Sequence, residues 1–165
     1  MPFDSFIKID GIPGESTDSK HKDWIEVLSF HWGVNQMSTG SQSSGGARSS
    51  QRVDHAEFSF VHTIDKSSPE LFAKCCSGEH IKNVKIELCR ATGDKTPYMK
   101  YNLEDVIVSS VKPGGASQDA MNLPLEEVMF SYGKIELTYT LTDHKTGKPS
   151  GDVKKWWSTV ENKGG

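Results

Sequence analysis

Residues 24–34, Trp-Ile-Glu-Val-Leu-Ser-Phe-His-Trp-Gly-Val, alternate with a period of two residues. One parity holds the largest apolar side chains: Trp24, Leu28, Phe30, Trp32 and Val34. Because successive side chains of a strand point to opposite faces, this set predicts the core-facing side of a long strand. The other parity is apolar at Ile25 and Val27 and becomes small or polar from Ser29 and His31 onward. The stretch therefore predicts a strand whose second face meets water, a partner or a cavity.

The other segments predict strands that pair with this one. Alternating patterns occupy residues 3–10, 52–64, 80–91, 98–112 and 125–141. A single helix is predicted at Ser67–Ser77, where Ser67 and Glu70 fit a capping box and Gly78 is a natural stop. Long strands with one short helix on the side predict an all-β fold, either a β-barrel or two packed sheets. No linker divides the chain, so residues 1–165 form one domain.

Three details of these elements can be tested. The apolar stripe of the helix is expected to contain Leu71, Phe72, Cys75 and Cys76. A change of apolar parity near Glu104 and Asp105 predicts a bend in the strand at 98–112. Gly133 marks the point where the inward residues of the last strand switch parity, which predicts a bulge there.

Two segments lack a regular pattern. The loop at 37–51 is rich in Gly and Ser and has no apolar face, so it would be flexible alone. A loop of this length inside a compact domain is usually functional or disordered. The tail at 142–165 contains Trp156 and Trp157, which would point to opposite sides of a strand, and at least one is expected to dock.

Composition narrows the functional classes. The 165 residues carry a net charge of −3 with both signs mixed, which disfavours nucleic-acid binding. No apolar run is long enough to span a bilayer, so membrane insertion is not expected. The N-terminus lacks the basic and apolar regions of a signal peptide, which argues against classical secretion. Three cysteines without a framework spacing indicate reduced thiols in a protein made in the cytoplasm.

No motif for catalysis, a metal or a cofactor is present. The six histidines form no HxH or HExxH spacing, and the cysteines form no CxxC pairs. Cys75 and Cys76 are more simply core side chains than nucleophiles. The sequence therefore predicts neither an enzyme nor a metal site. A monomeric β-barrel that binds a small ligand remains an open alternative.

Several stretches resemble one family. They are Phe6–Ser16 (FIKIDGIPGES), Ile25–Gly33 (IEVLSFHWG), Asp65–Pro69 (DKSSP), Cys75–His80, Leu103–Val111 (LEDVIVSSV) with Gly114-Gly115, and Val153, Lys154 and Trp157 near the C-terminus. In this order and over nearly the whole chain, they resemble the haemolysin-coregulated proteins, Hcp, which are inner-tube subunits of type VI secretion systems. The sequence departs from the family at Phe30, where a tryptophan is common, and at His31, where a small polar residue is common.

The resemblance implies a β-barrel with a helix on one side and a homo-hexameric ring. Rings would stack into a tube that a contractile sheath drives out of the cell, with a spike protein at the tip. The ring lumen would bind and protect effector proteins. Export by this route would take the protein from the cytoplasm to the medium or a target cell without a signal peptide.

The resemblance also gives expectations for individual residues. Ser29 and His31 are expected to face the lumen, where His31 would gain charge below neutral pH and influence cargo binding. Ile25 and Val27 are apolar on the back of the long strand, so we expect a neighbouring subunit or the helix to cover them. The loop at 37–51 is expected to join stacked rings. The residues named for that contact are Ser38, Gly45, Gly46, Arg48 and Arg52.

Overall fold

The computed structural model describes residues 3–39, 49–50, 52–91, 93, 95–117 and 123–165, with the backbone alone at 38–39 and 49–50. Strands and one helix occupy these residues. In chain order they are β1 (Phe3–Ile9), β2 (Ile25–Val27), β3 (Ser29–His31), β4 (Val34–Asn35), β5 (Ser38–Thr39), β6 (Ser49–Ser50), β7 (Asp54–His55), β8 (Phe58–Thr63), α1 (Ser67–Ser77), β9 (Ile81–Arg90), β10 (Pro97–Gly114), β11 (Leu125–Thr142), β12 (Pro149–Ser158) and β13 (Lys163–Gly164).

One antiparallel sheet contains most of the strands. Its hydrogen-bonded order is β13-β12-β11-β10-β9-β1-β2, and β8 pairs with both β11 and β3. Strand β11 is shared, because its first part pairs with β8 and its second part with β12. The predicted all-β class with one helix is confirmed. Over the residues that the structure describes, the sheet does not close into a barrel, which corrects the first of the two predicted architectures.

The long strand predicted at 24–34 is divided. Strand β2 pairs with β1, whereas β3 pairs with β8. Leu28 lies at the transfer between them, where its N–H donates to the Val61 carbonyl at 2.8 Å. Leu28 and Ser29 are both exposed, so the inward parity changes at this point. Odd-numbered residues therefore point into the core before residues 28–29, and even-numbered residues point into it afterwards.

This break corrects the predicted faces. Ile25 and Val27 are buried in the core of their own subunit, at 1% and 8% exposure. Leu28 and Val34, predicted to be buried, are 61% and 53% exposed. Phe30 and Trp32 keep their predicted places, since both are half-buried and pack against the core. The Phe30 ring stacks on Phe58 with 5.9 Å between centroids.

The predicted changes of inward parity in β10 and β11 are confirmed as one feature, but the bulge predicted at Gly133 is not, because the register is the same on both sides of it and shifts instead between Val108 and Ser110. Asp105 has a positive φ of 53° and is an unpaired position between the pairs of Glu104 with Lys134 and Val106 with Tyr132. Gly133 is the residue opposite this position, and a Cβ there would lie 3.2 Å from the Asp105 side chain. A residue without a side chain therefore allows the two strands to stay close at the bend.

The helix has the predicted bounds but a different cap. The N–H of Ser67 donates to Asp65 Oδ1 at 2.8 Å, so Asp65 takes the role predicted for Ser67 and Glu70. Gly78 ends the helix in the left-handed conformation, as predicted. Leu71 is fully buried, but Phe72 is 63% exposed, so the predicted apolar stripe is only partly buried. No helix in the described ranges is long and apolar enough to cross a membrane.

The tail contributes to the sheet. Strand β12 pairs with β11 and places Trp157 opposite Ile135. The Lys134 ammonium lies 4.6 Å from the centre of the Trp156 ring. Both tryptophans are half-buried, which confirms that the tail docks. In the segment predicted as a loop at 37–51, the backbones of β5 and β6 pair with each other, and Gly45, Gly46 and Arg48 lie outside the described residues.

Candidate functional site

A mixed polar surface forms around His31, on the outer side of β3, β8 and β11. Across these strands His31 pairs with Ser59, which pairs with Met129, and Ser29 pairs with Val61. We call this surface the His31 face and define it by six residues: Ser29, His31, Ser59, Val61, Glu127 and Met129. Together with two core phenylalanines beneath it, this set lines a shallow depression of about 390 Å³. Ser29 and His31 are exposed, as predicted.

An open apolar surface continues the core at the far end of β11. By strand alternation, Leu137, Tyr139 and Leu141 lie on the same side of the sheet as buried Ile135. Across the ladders Tyr139 pairs with Met99 on β10 and with Val153 on β12. Tyr139, Leu141 and Val153 are 45–53% exposed. We call this surface the apolar extension and define it as Met99, Leu137, Tyr139, Leu141 and Val153.

A second apolar surface lies near the start of β11. Leu28, Leu123 and Leu125 are 61%, 67% and 43% exposed, and all three line one groove with Gly114 and Gly115. We call these three leucines the Leu28 patch. Leu125 and Leu141 are sixteen residues apart on one strand, which corresponds to roughly 50 Å along it. The two exposed apolar surfaces therefore lie at opposite ends of the longest element.

Arg52 contacts its own chain. Its guanidinium Nη2 donates to the Thr159 carbonyl at 2.7 Å, which joins the segment after β6 to the C-terminal tail. The side chain itself is exposed. Ser38, also predicted for ring stacking, lies in β5, opposite Ser50 of β6. This places the base of the predicted stacking loop beside the last residues of the chain.

Sequence reasoning missed a buried cluster around His21. His21 Nδ1 lies 2.8 Å from Asp18 Oδ2, and His21 Nε2 lies 2.7 Å from Glu87 Oε2. The hydrogen bond from His21 lowers the pKa of Asp18 to about 2, against the opposing effect of its burial. Cys89 Sγ lies 3.8 Å from His21 Nε2. Burial, and then the Glu87 charge, raise the pKa of the Cys89 thiol to about 11.

A second buried histidine also pairs with a carboxylate. His62 Nε2 lies 2.9 Å from Glu126 Oε1, and both residues are almost completely buried. By strand alternation His62 lies on the same face as Phe58 and Phe60, and all three are buried. The pairing with Glu126 was not visible, because the two residues lie 64 positions apart. This pair is positioned to hold β8 against the first part of β11.

Comparison with known proteins identifies the family. A family model described as "Type VI secretion system effector, Hcp" matches residues 6–139. "Protein hcp1" of Pseudomonas aeruginosa is 34% identical over 164 residues, and the match covers 98% of each chain. The solved "Structure of a type six secretion system protein" has a TM-score of 0.91 at 32% identity, over 99% of this chain and 100% of that one. The crystal structure of Hcp1 from Salmonella typhimurium has a TM-score of 0.80 at 35% identity, over 99% of both chains. The chain belongs to the Hcp family of type VI secretion proteins.

Proposed function

We propose that this chain is the ring-forming subunit of a type VI secretion tube and that the inside of the ring carries effector proteins. Family membership supports a role in type VI secretion. The observation that carries ring formation is the pair of exposed apolar surfaces, the apolar extension and the Leu28 patch. A monomer gains nothing from exposing such surfaces, whereas an assembly buries them.

The separation of these surfaces favours a ring over a two-fold dimer. A closed ring of identical subunits needs a head-to-tail interface, in which one patch meets a different patch of the next subunit. The apolar extension and the Leu28 patch lie at opposite ends of β11, as this arrangement requires. We assign the ring interface to them. Ile25 and Val27, the residues expected from the sequence, are too deeply buried to contribute contact area.

The test of ring assembly is the mass of the protein in solution. We expect the wild-type chain to give about six subunits, and Val153→Glu to give about one, because a charge at an interface centre is left unpaired. The matched control is Lys154→Glu, which is next to Val153 on the same strand but points to the opposite face of the sheet, beside Thr138. If Val153→Glu forms rings of normal mass, the apolar extension is not the interface.

We assign the lumen to the His31 face. Its serines, histidine and glutamate lie beside Val61 and Met129 on one face. Such a hydrated surface of mixed polarity suits contact with folded proteins. The variants His31→Arg, His31→Asp and His31→Ser are tested in rings that still assemble, by retention of a co-expressed effector. We expect retention to change with the charge at this position, and His144→Asp, on an exposed turn, to have no effect. Equal retention in all three variants would remove His31 from the cargo role.

The segment between β5 and β6 is assigned to ring stacking, with Ser38, Gly45, Gly46, Arg48 and Arg52. Its support is the position of Arg52 beside the tail and the lack of any apolar face in residues 40–48. The spike protein at the tip and the contractile sheath around the tube are the further partners of this assembly. In this scheme the subunit is made in the cytoplasm and is exported when the tube is driven out.

A small-ligand module is the second candidate function. A recess of about 590 Å³ lies between β4, β7, β11 and β12, with Trp32, Val34 and Trp157 among its lining residues. This volume is in the range of small-molecule sites, and the lining is largely apolar. The same mass measurement discriminates the two functions, since a ligand-binding module would remain a single chain.

A further inference from the structure

Three potential metal ligands converge in the His21 cluster. His21 Nε2 lies 2.7 Å from Glu87 Oε2 and 3.8 Å from Cys89 Sγ, and the three ligand atoms all lie within 4.8 Å of one another. His21 and Cys89 are almost completely buried, and Glu87 is half-buried. We propose that this cluster is a zinc site, with His21, Glu87 and Cys89 as ligands and the fourth position open.

The distances are close to those that zinc requires. Tetrahedral zinc, with bonds of roughly 2.0 Å to nitrogen and oxygen and 2.3 Å to sulfur, separates N and O by about 3.3 Å and N and S by about 3.5 Å. The His21–Glu87 separation of 2.7 Å is about 0.6 Å shorter than its zinc value, and the His21–Cys89 separation of 3.8 Å is about 0.3 Å longer. Glu87 is the side chain with room to move. A thiol and an imidazole together favour zinc over magnesium or calcium, which take oxygen ligands.

The cluster also holds its ligands in place. Asp18 accepts the Nδ1 hydrogen of His21, and a carboxylate on the far side of the imidazole is the usual support of a zinc-bound histidine. The Phe6 ring stacks on His21 with 4.2 Å between centroids and a 4° interplanar angle. Glu87 and Cys89 are two residues apart on β9, so both project from the same face of a paired strand.

The charge of the cluster tolerates a divalent ion. Zinc takes neutral imidazole and thiolate ligands, so its two positive charges would be offset by the Cys89 thiolate and the Glu87 carboxylate. The ion is therefore paired with charges of the opposite sign inside the cluster. Lys95 Nζ, 3.3 Å from Asp18 Oδ1, continues to balance that carboxylate. The ion would fasten the loop that carries Asp18 and His21 to strand β9.

The test is zinc binding by the full-length, metal-free protein. Competition with a chromophoric chelator measures affinity and stoichiometry, and cobalt substitution reports a thiolate ligand through a charge-transfer band in the near ultraviolet. We expect one zinc per chain, a cobalt–thiolate band, and a rise in Tm on zinc addition. Cys89→Ser is expected to lose the band, whereas Cys76→Ser, at an exposed thiol, keeps it.

A second variant keeps the proposal testable if Cys89→Ser does not fold. Glu87→Gln keeps the size of the side chain and retains both a donor and an acceptor facing His21, so we expect the metal-free fold to be preserved. We expect its zinc affinity to fall by at least about tenfold, with circular dichroism unchanged. Absence of zinc binding by the wild type overturns the proposal, and so does unchanged affinity in Glu87→Gln or in folded Cys89→Ser. These outcomes are independent of ring assembly.

Discussion

At the scale of single residues, the bend of β10 depends on the backbone of Asp105. Its φ of 53° is in the left-handed region, where residues other than Gly and Asn or Asp are strained. The side chain contributes only an exposed contact, in which His80 Nδ1 donates to Asp105 Oδ1 at 2.5 Å. The backbone conformation rather than this contact is therefore the constraint at the position.

A pair of variants at this position separates the two effects. Asp105→Val is expected to lose about 1–2 kcal/mol of unfolding free energy, because a β-branched residue is disfavoured in the left-handed region. Asp105→Gly removes the same contact without that strain and should lie much closer to the wild type. Urea unfolding of both variants measures the difference. Equal losses would show that the side-chain contact, and not the backbone, matters.

His55 gives a pH dependence whose sign can be worked out. Its burial lowers its pKa from the usual 6.5, against the smaller effect of the Asp54 charge. The folded protein therefore binds this proton more weakly than the unfolded chain. The stability contributed by neutral His55 is complete above the unfolded pKa and is lost as pH falls through the folded pKa.

Comparing the wild type with His55→Asn isolates this contribution from the other histidines. We expect the advantage of the wild type in unfolding free energy to be larger at pH 8 than at pH 5. Chemical denaturation of both proteins at several pH values between these limits measures this difference in unfolding free energy. An advantage that stays constant across this range would contradict the lowered pKa of His55.

At the scale of elements, β2 belongs to the core of its own subunit. Val27 pairs with Ser5 of β1, whose hydroxyl donates to the Val27 carbonyl at 2.9 Å. We expect Val27→Glu to destabilise the isolated subunit by at least about 3 kcal/mol, because it buries an unpaired charge. Val153→Glu, at an exposed position of β12, should change the free energy of unfolding of the isolated subunit by less than about 0.5 kcal/mol.

Urea unfolding of both variants, at concentrations where the chain is monomeric, provides the comparison. The two substitutions then have opposite signatures, since Val27→Glu acts on folding and Val153→Glu acts on assembly. A stable Val27→Glu subunit that fails to form rings would restore the interface role expected from the sequence.

Much of the element structure follows from sequence pattern. Period-two alternation located β8 to β11, and Gly78 fixed the end of α1. The pattern was insufficient at residues 24–34, because alternation shows which residues share a face but not where a strand changes partner. The transfer at Leu28 depends on the hydrogen bond to Val61, which is a contact between distant parts of the chain.

The candidate site shows the same limit. The exposure of Ser29 and His31 followed from their parity and polarity. The His21 cluster could not be found in this way, since His21 and Glu87 lie 66 positions apart and come together only when β1 pairs with β9. The apolar extension was visible as apolar residues in β11 but was interpreted as core, because pattern does not show where a covering layer ends.

At the scale of the whole molecule, the subunit has more apolar surface than its fold buries. The core ends near Ile135, whereas β10, β11 and β12 continue past it with Tyr139 and Val153 uncovered. Shortening these strands to the level of the Tyr101–Leu137 pair would remove only residues outside the core cluster. Their length is therefore explained by contacts outside the subunit, which is the physical reason to interpret the fold as one part of an assembly.

The last prediction concerns the segment between β5 and β6 and its proposed role in ring stacking. Replacing residues 40–48 by a two-residue turn preserves the pairing of Ser38 with Ser50 and of Thr39 with Ser49. The deleted residues have no apolar face, and ordering each one costs about 1–2 kcal/mol of backbone entropy. We therefore expect unchanged Tm and ring mass but loss of tube growth in electron micrographs and of export to the medium.

A second variant distinguishes length from side chains: a Gly-Ser segment of the original length, which keeps the reach but removes Arg48. If this variant also fails to form tubes, specific side chains make the stacking contact. If the Gly-Ser variant forms tubes while the short-turn variant does not, the stacking contact depends on the length of the segment and not on its side chains. Normal tube growth by the short-turn variant would show that the segment is not a stacking element. Loss already at the ring stage would place its contact within one ring, because neighbours in a ring and neighbours in a stack meet different sides of the subunit.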